Sequence, residues 1–250
     1  MTSAAQLDGD TFGEYALPTG ISWWDPDAEC TLVMSQPALD RELWLDYLDG
    51  AARSYRKYGA EKALDLEAVK PGWDTSVFFA AVDRDGCVIG GLRATRPLRS
   101  ADESHAVVEW AGQPGESAVR KMITDRLPFG VVEMKSAWAD GDRDRSPLLA
   151  DVLARTAYPT MTVLNVQFLM ATAASHVLGR WRSSGGVVAS RIPATPYPDD
   201  RYRTKMMWWD RSNFINYATP EQAAKMVAEM SSLSALLDAH RDVAAAAGTQ

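Results

Sequence analysis

The sequence predicts a mixed α/β fold, one sheet with helices on both faces. Three observations point to it. Residues 76–96 read as a β-hairpin, because the β-rich runs Val77–Val82 and Cys87–Ala94 flank Asp83-Arg-Asp-Gly86, a turn whose glycine can take positive φ. Gly130–Trp138 is a second apolar run with one carboxylate, Glu133, inside it. Beyond it, helical and β-rich segments alternate to Asp210.

Taken in order, residues 1–28 are polar and punctuated by Gly and Pro, with Trp23-Trp24 as anchor, and are expected to form a loosely ordered arm. Residues 29–212 are expected to form the main domain. Cys30–Ser35 is a short β-type run. Pro37–Tyr58 is an amphipathic helix, since Leu39, Leu43, Tyr47 and Ala51 recur at helical spacing, and Gly59 is its C-cap candidate. Leu64–Gly72 is an acidic connector. A short strand at Ala106–Trp110 and a helix at Glu116–Leu127 follow the hairpin. A charged loop, Asp140–Arg145, precedes a helix with Ser146 as N-cap and Pro147 at its first position, and Pro159 should kink or end that helix. Then come a strand at 167–173, a short helix at 175–184 closed by Gly185-Gly186, and strands at 187–192 and 204–210 joined by a Pro-rich arm. The strands 76–82, 87–95, 131–138, 167–173, 187–192 and 204–210 are expected in one sheet. Residues 219–247 form a last helix, whose stripe of Ala223, Met226, Met230, Leu233 and Leu237 predicts packing on the domain or on a second copy, so a homodimer stays open.

A chain of 250 residues, 46% hydrophobic and 24% charged, buries enough surface to need no staple. A net charge of -7 argues against binding nucleic acid through phosphate neutralisation. Cys30 and Cys87 are far apart with no metal-type spacing, which fits a reducing cytoplasm rather than a disulfide scaffold. No apolar run reaches membrane-spanning length, and the first ten residues lack signal-peptide regions. No Ser-His-Asp, Cys-His or metal-ligating constellation can be assembled from the spacing.

In Asp83-x-x-Gly86-x-x-x-Gly90-x-x-Arg93 and in the strand carrying Glu133, the sequence resembles the Gcn5-related N-acetyltransferase superfamily. Within it, the branch of acyl-homoserine-lactone and N-acyl amino acid synthases is the nearest, with Asp65, Glu67 and the loop Asp142–Pro147 adding to the likeness. The resemblance spans Leu64 to Arg211. It implies a splayed sheet, and an N-acyltransferase moving an acyl group from coenzyme A or an acyl carrier protein to an amine such as an amino acid. The thioester would be a co-substrate, with no tightly bound cofactor. Two departures stand out. The family's arginine after the glutamate is replaced by Ser136, with Lys135 one place early, and the usual Gln/Arg-x-x-Gly-x-Gly/Ala pyrophosphate loop is absent. These departures support the alternative of a non-catalytic ligand-binding or interaction module.

Glu133, set in an apolar strand, suits a general base if burial raises its pKa; otherwise it pairs with Arg93 or Lys135. Arg93 offers a planar fork to a substrate carboxylate or phosphate, or pairs with Glu133 or Glu109; Glu109 is the second acidic candidate for substrate binding. Met134 and Lys135 would flank the thioester arm. Arg143, Arg145 and the helix start at Ser146 would hold its phosphate, unless that loop is a solvated turn. His176, or its neighbour Ser175, is the candidate to protonate the departing thiolate, as the resemblance implies. Tyr202 and Arg203, in the arm Tyr197–Arg203, would meet an acceptor carboxylate.

Overall fold

A computed structural model of the chain describes Leu17, residues 19–140 and residues 145–247. Among the described residues, eight strands form one sheet: β1 (Ile21–Asp25), β2 (Cys30–Ser35), β3 (Thr75–Val82), β4 (Val88–Thr95), β5 (Val131–Ala139), β6 (Phe168–Ala174), β7 (Val187–Val188) and β8 (Thr204–Asp210). The spatial order is β1-β2-β3-β4-β5-β6-β8-β7. All neighbours are antiparallel except β5 and β6.

Strand alternation sorts the core onto two faces. On one face lie α1 (Arg41–Lys57), the single-turn α2 (Leu66–Val69), α3 (His105–Glu109) and α4 (Glu116–Thr124). Trp44, Tyr47 and Leu48 of α1 pack there on Phe78 and Ala80, and Ala106, Val119 and Ile123 pack on Val131, Met170 and Met206. On the other face lie α5 (Arg145–Arg155), α6 (Ala157–Val163) and α8 (Pro220–Ala247), against Val77, Phe79, Leu92, Val132 and Leu169. The short α7 (Leu178–Ser183) follows β6. Glycine is required at Gly91, because a Cβ there would lie 2.4 Å from the Phe79 carbonyl oxygen and 2.6 Å from Cδ2 of Tyr47.

The sheet parts in its middle. β5 pairs with β6 only from Val131↔Phe168 to Met134↔Ala171. Beyond that point β5 continues along β4 to Ala139↔Gly90, and β6 continues along β8 to Ala174↔Thr204. The residues Lys135–Ala139 and Thr172–Ala174 therefore border a gap. The pairing of β4 with β5 slips between Gly91↔Trp138 and Arg93↔Lys135, and Ser136 takes φ +54° in this bulge. The Tyr47 hydroxyl donates to the Ser136 carbonyl at 2.9 Å.

Several expectations need correction. Ile21–Asp25 is an edge strand paired along β2, not part of a loose arm. The expected strand at Ala106–Trp110 is the helix α3. Its valines suit either state, but the Ser104 hydroxyl accepts from Ala106 N (3.2 Å) and the Glu133 carboxylate accepts from His105 N (2.9 Å), so its first donors are capped. The strand at 187–192 stops at Val188. α5 ends at Arg155 because Pro159, inside α6, has no N–H to give the Arg155 carbonyl. The last helix packs on the domain through Met226 and Leu233. Arg155, 2% exposed, ties it to β1, bonding Asp25, Glu229 (2.8 Å) and Gln222 (2.9 Å). Among the described residues no helix is long and apolar enough to cross a membrane.

Candidate functional site

The gap between β5 and β6 opens into a cavity of about 610 Å³. Its deep wall is apolar and small-residue rich, with Leu92, Met134, Leu153, Ala154, Ala157, Leu169 and Ala171. Its wall also takes in Ser146 and Ala150 of α5, Val177 just before α7, and Arg180 and Trp181 of α7. It is lined too by Tyr55 and Tyr58 at the end of α1, by Tyr197 and Tyr202 of the arm, and by Glu109 and Lys135.

The charged cluster is built where α3 meets the face of β5 that carries Glu133 and Lys135. Glu109, 5% exposed, ends α3, and its Oε1 accepts from Lys135 Nζ (3.2 Å) and Thr172 Oγ1 (2.9 Å). Its other oxygen, Oε2, has no hydrogen-bond partner among the described residues. Burial raises the Glu109 pKa; Lys135 opposes the rise and the Glu133 charge adds to it. His105 lies 3.9 Å from Glu109 Oε1 through Nε2, which also bonds the Tyr197 hydroxyl at 2.8 Å. Burial, then Lys135 and Arg93, hold the His105 ring down to about 4, so at neutral pH the ring is uncharged and this is no ion pair. Burial likewise pushes the Tyr197 phenol up to about 12.

Glu133 is fully buried and is not among the residues lining the cavity. Its Oε2 caps α3 at His105 N, and its Oε1 lies 4.0 Å from Lys135 Nζ with no hydrogen-bond partner. The expectation that it faces the cleft is corrected: before the Ser136 bulge the odd positions of β5, Val131, Glu133 and Lys135, point to the α3 side, and α3 covers this one. Arg93, 4% exposed, is corrected as well. It pairs with neither glutamate, but donates to Asp74 Oδ2 (2.8 Å), Thr75 Oγ1 (3.0 Å) and Ser136 Oγ (3.4 Å), outside the cavity wall.

Met134, Lys135, Ser146, His176, Tyr202 and Glu109 do come together around the cavity. The His176 ring stands 6.3 Å from that of Tyr202, whose hydroxyl donates to the Tyr58 carbonyl at 3.0 Å. The Ser175 hydroxyl is turned to the Arg203 carbonyl, and neither residue lines the cavity. Arg145 opens α5, also off the wall, and Arg143 lies outside the described residues. Sequence reasoning missed Tyr55, Thr172 and the pairing of His105 with Tyr197. A lone threonine in the apolar run of β6 was a usable signal; two residues 92 positions apart offered none.

No protein-family model matches the chain. It is 60% identical over 209 residues to the uncharacterized protein Rv1356c of Mycobacterium tuberculosis and to the uncharacterized protein Mb1391c of Mycobacterium bovis, covering 84% of this chain and 80% of each relative. Among solved structures, it is similar to the coenzyme A-dependent acyl-homoserine lactone synthase BjaI, solved with SAM and isopentyl-CoA (TM-score 0.50, 14% identity, 79% of this chain and 88% of that one). It is also similar to the acyl-homoserine lactone synthase LasI (TM-score 0.50, 11% identity, 72% and 90%). These likenesses show the fold alone, that of the two acyl-homoserine lactone synthases, as the sequence resemblance implied.

Proposed function

We propose that this chain, which belongs to the same family as the mycobacterial proteins Rv1356c and Mb1391c and has an acyltransferase fold, moves an acyl group from a thioester to an amine. One observation carries this reading. The cavity lies along the edge of β5 that β6 leaves unpaired, with an apolar wall and the buried carboxylate of Glu109 both lining it. Backbone groups of Lys135–Ala139 facing the gap need partners, and the amides of a pantetheine arm supply them. The acyl chain then lies on the Leu92–Leu153–Leu169 wall, and the donor's phosphate lies toward the start of α5 at Ser146.

In this reading Glu109 takes the proton of the attacking amine. The C–N bond forms as the C–S bond breaks, and the thiolate leaves with a proton from His176. In this reading the oxyanion lies against backbone N–H groups near Ser136, where the pairing of β4 with β5 slips. Glu133 is a positioning residue that fixes the start of α3 and so the place of Glu109. The donor is coenzyme A or a carrier protein, the latter bringing a single phosphate.

The test is free-thiol release from acyl-coenzyme A and acyl-carrier protein over a panel of amines. Amine-dependent release is expected, reduced about 10²–10⁴-fold in Glu109→Gln. Release that ignores the amine, or is untouched in that variant, overturns the assignment. The absent pyrophosphate loop favours a second reading, a non-catalytic binding module. Thermal stabilisation by thioesters with no amine-dependent release selects that one.

A further inference from the structure

We infer that the acceptor is a cationic amine with no carboxylate of its own, an alkyl- or arylalkylamine rather than an amino acid. This deepens the acyltransferase reading and rests on it. The sequence assigned an acceptor carboxylate to Tyr202 and Arg203. In the fold, Arg203 does not line the cavity, and the Tyr202 hydroxyl is spent on the Tyr58 carbonyl.

Among the described residues, the Lys and Arg side chains on the cavity wall are Lys135 and Arg180. Lys135 is bonded to Glu109 and faces Glu133 at 4.0 Å. Arg180 lies on α7, 3.4 Å from Asp151. The nearby Arg93 is held by Asp74. At the Glu109 end, two buried carboxylates thus face one ammonium, and the neighbouring His105 is neutral at pH 7. An incoming carboxylate would meet this excess negative charge, with the one ammonium there already bonded to Glu109. An incoming ammonium would approach Glu109, a wall residue whose Oε2, closed off from water, lacks a partner. Four tyrosines, Tyr55, Tyr58, Tyr197 and Tyr202, line the cavity, and aromatic faces attract cations, as Lys57 over the Tyr58 ring (5.6 Å) and Arg201 over the Tyr202 ring (5.5 Å) already do. The raised pKa of Glu109 then lets it accept the proton that the amine must lose before attack.

The experiment compares matched acceptors with octanoyl-coenzyme A as donor and the full chain as enzyme, reading free thiol. Phenethylamine is set against phenylalanine, and cadaverine against lysine. Each amine should exceed its amino acid in kcat/KM by at least about tenfold, the factor given by ~1.4 kcal/mol of like-charge repulsion. Phenylalanine methyl ester, whose carboxyl is uncharged, should behave as the amine does. An ester as poor as the free acid would make bulk the cause and overturn the inference. Preference for the amino acids, with thiol release intact, would overturn it too while leaving the acyltransferase reading standing. Absence of amine-dependent release with every acceptor would sink both. In Glu109→Gln the amine preference should fall toward parity, and in Glu109→Asp it should persist; a preference unchanged in Glu109→Gln contradicts the charge argument.

Discussion

Replacing Glu133 by glutamine separates the two buried carboxylates, because they differ in what they touch rather than in chemistry. Glu133 Oε2 accepts from His105 N at 2.9 Å, and a glutamine carbonyl can keep that bond as a weaker, neutral one, at a loss of about 1 kcal/mol. The attraction to Lys135 at 4.0 Å, about 4 kcal/mol gross at an effective dielectric of about 20, disappears, but so does the cost of holding a second carboxylate out of water. The net destabilisation should be about 1–3 kcal/mol, or roughly 2–12 °C in melting temperature for a chain of this size. Turnover should persist within about tenfold, since Glu133 does not reach the cavity. With the Glu133 charge gone, the Glu109 pKa should fall, so the acid limb of the pH–rate profile should move to lower pH. Thermal melting and thiol-release kinetics on Glu133→Gln and Glu109→Gln, side by side, check this. A loss of about 100-fold or more in Glu133→Gln, with Glu109→Gln near wild type, would return the base to Glu133 and refute the placement.

Arg155→Met leaves Asp25 and Glu229 without their buried partner and should cost about 3–5 kcal/mol; an unchanged urea midpoint would contradict the link between α8 and β1. His105 titrates near 4 when folded and near its ordinary 6.5 when unfolded, so the unfolded chain takes up the proton first and stability falls as pH drops from about 6.5 toward 4. His105→Gln removes this contribution, so its stability should fall less than that of the wild type across that window; equal slopes in chemical denaturation would show that the ring is not held neutral. Gly50→Ala places a Cβ 2.1 Å from Cζ2 and Cη2 of Trp138, a cavity-wall residue. It should cost about 1–3 kcal/mol or raise the donor KM severalfold, and a variant unchanged in both would show that the ring has room to move.

The sheet was legible in the sequence because its signals are local. Alternating apolar runs place β3, β4, β5, β6 and β8 within a residue or two, and Asp83–Gly86 marks the hairpin turn without reference to the rest of the chain. The same locality misled at Val107-Val108, where β-branched residues sit in a helix started by a carboxylate from another strand. The single acidic residue in β5 marked the correct neighbourhood, but not the carboxylate that lines the cavity. Whether Glu133 or Glu109 reaches the cavity depends on which face of β5 the helix α3 covers, and that is settled only when residues 105–109 and 131–135 meet. Arg93 shows the same limit: its partner Asp74 precedes the hairpin, and no spacing distinguishes it from the glutamates across the sheet. The charge balance of the site is likewise tertiary. A net charge read along the chain says nothing of two carboxylates and one ammonium brought within 4.0 Å away from water, where the low dielectric decides what a ligand must carry.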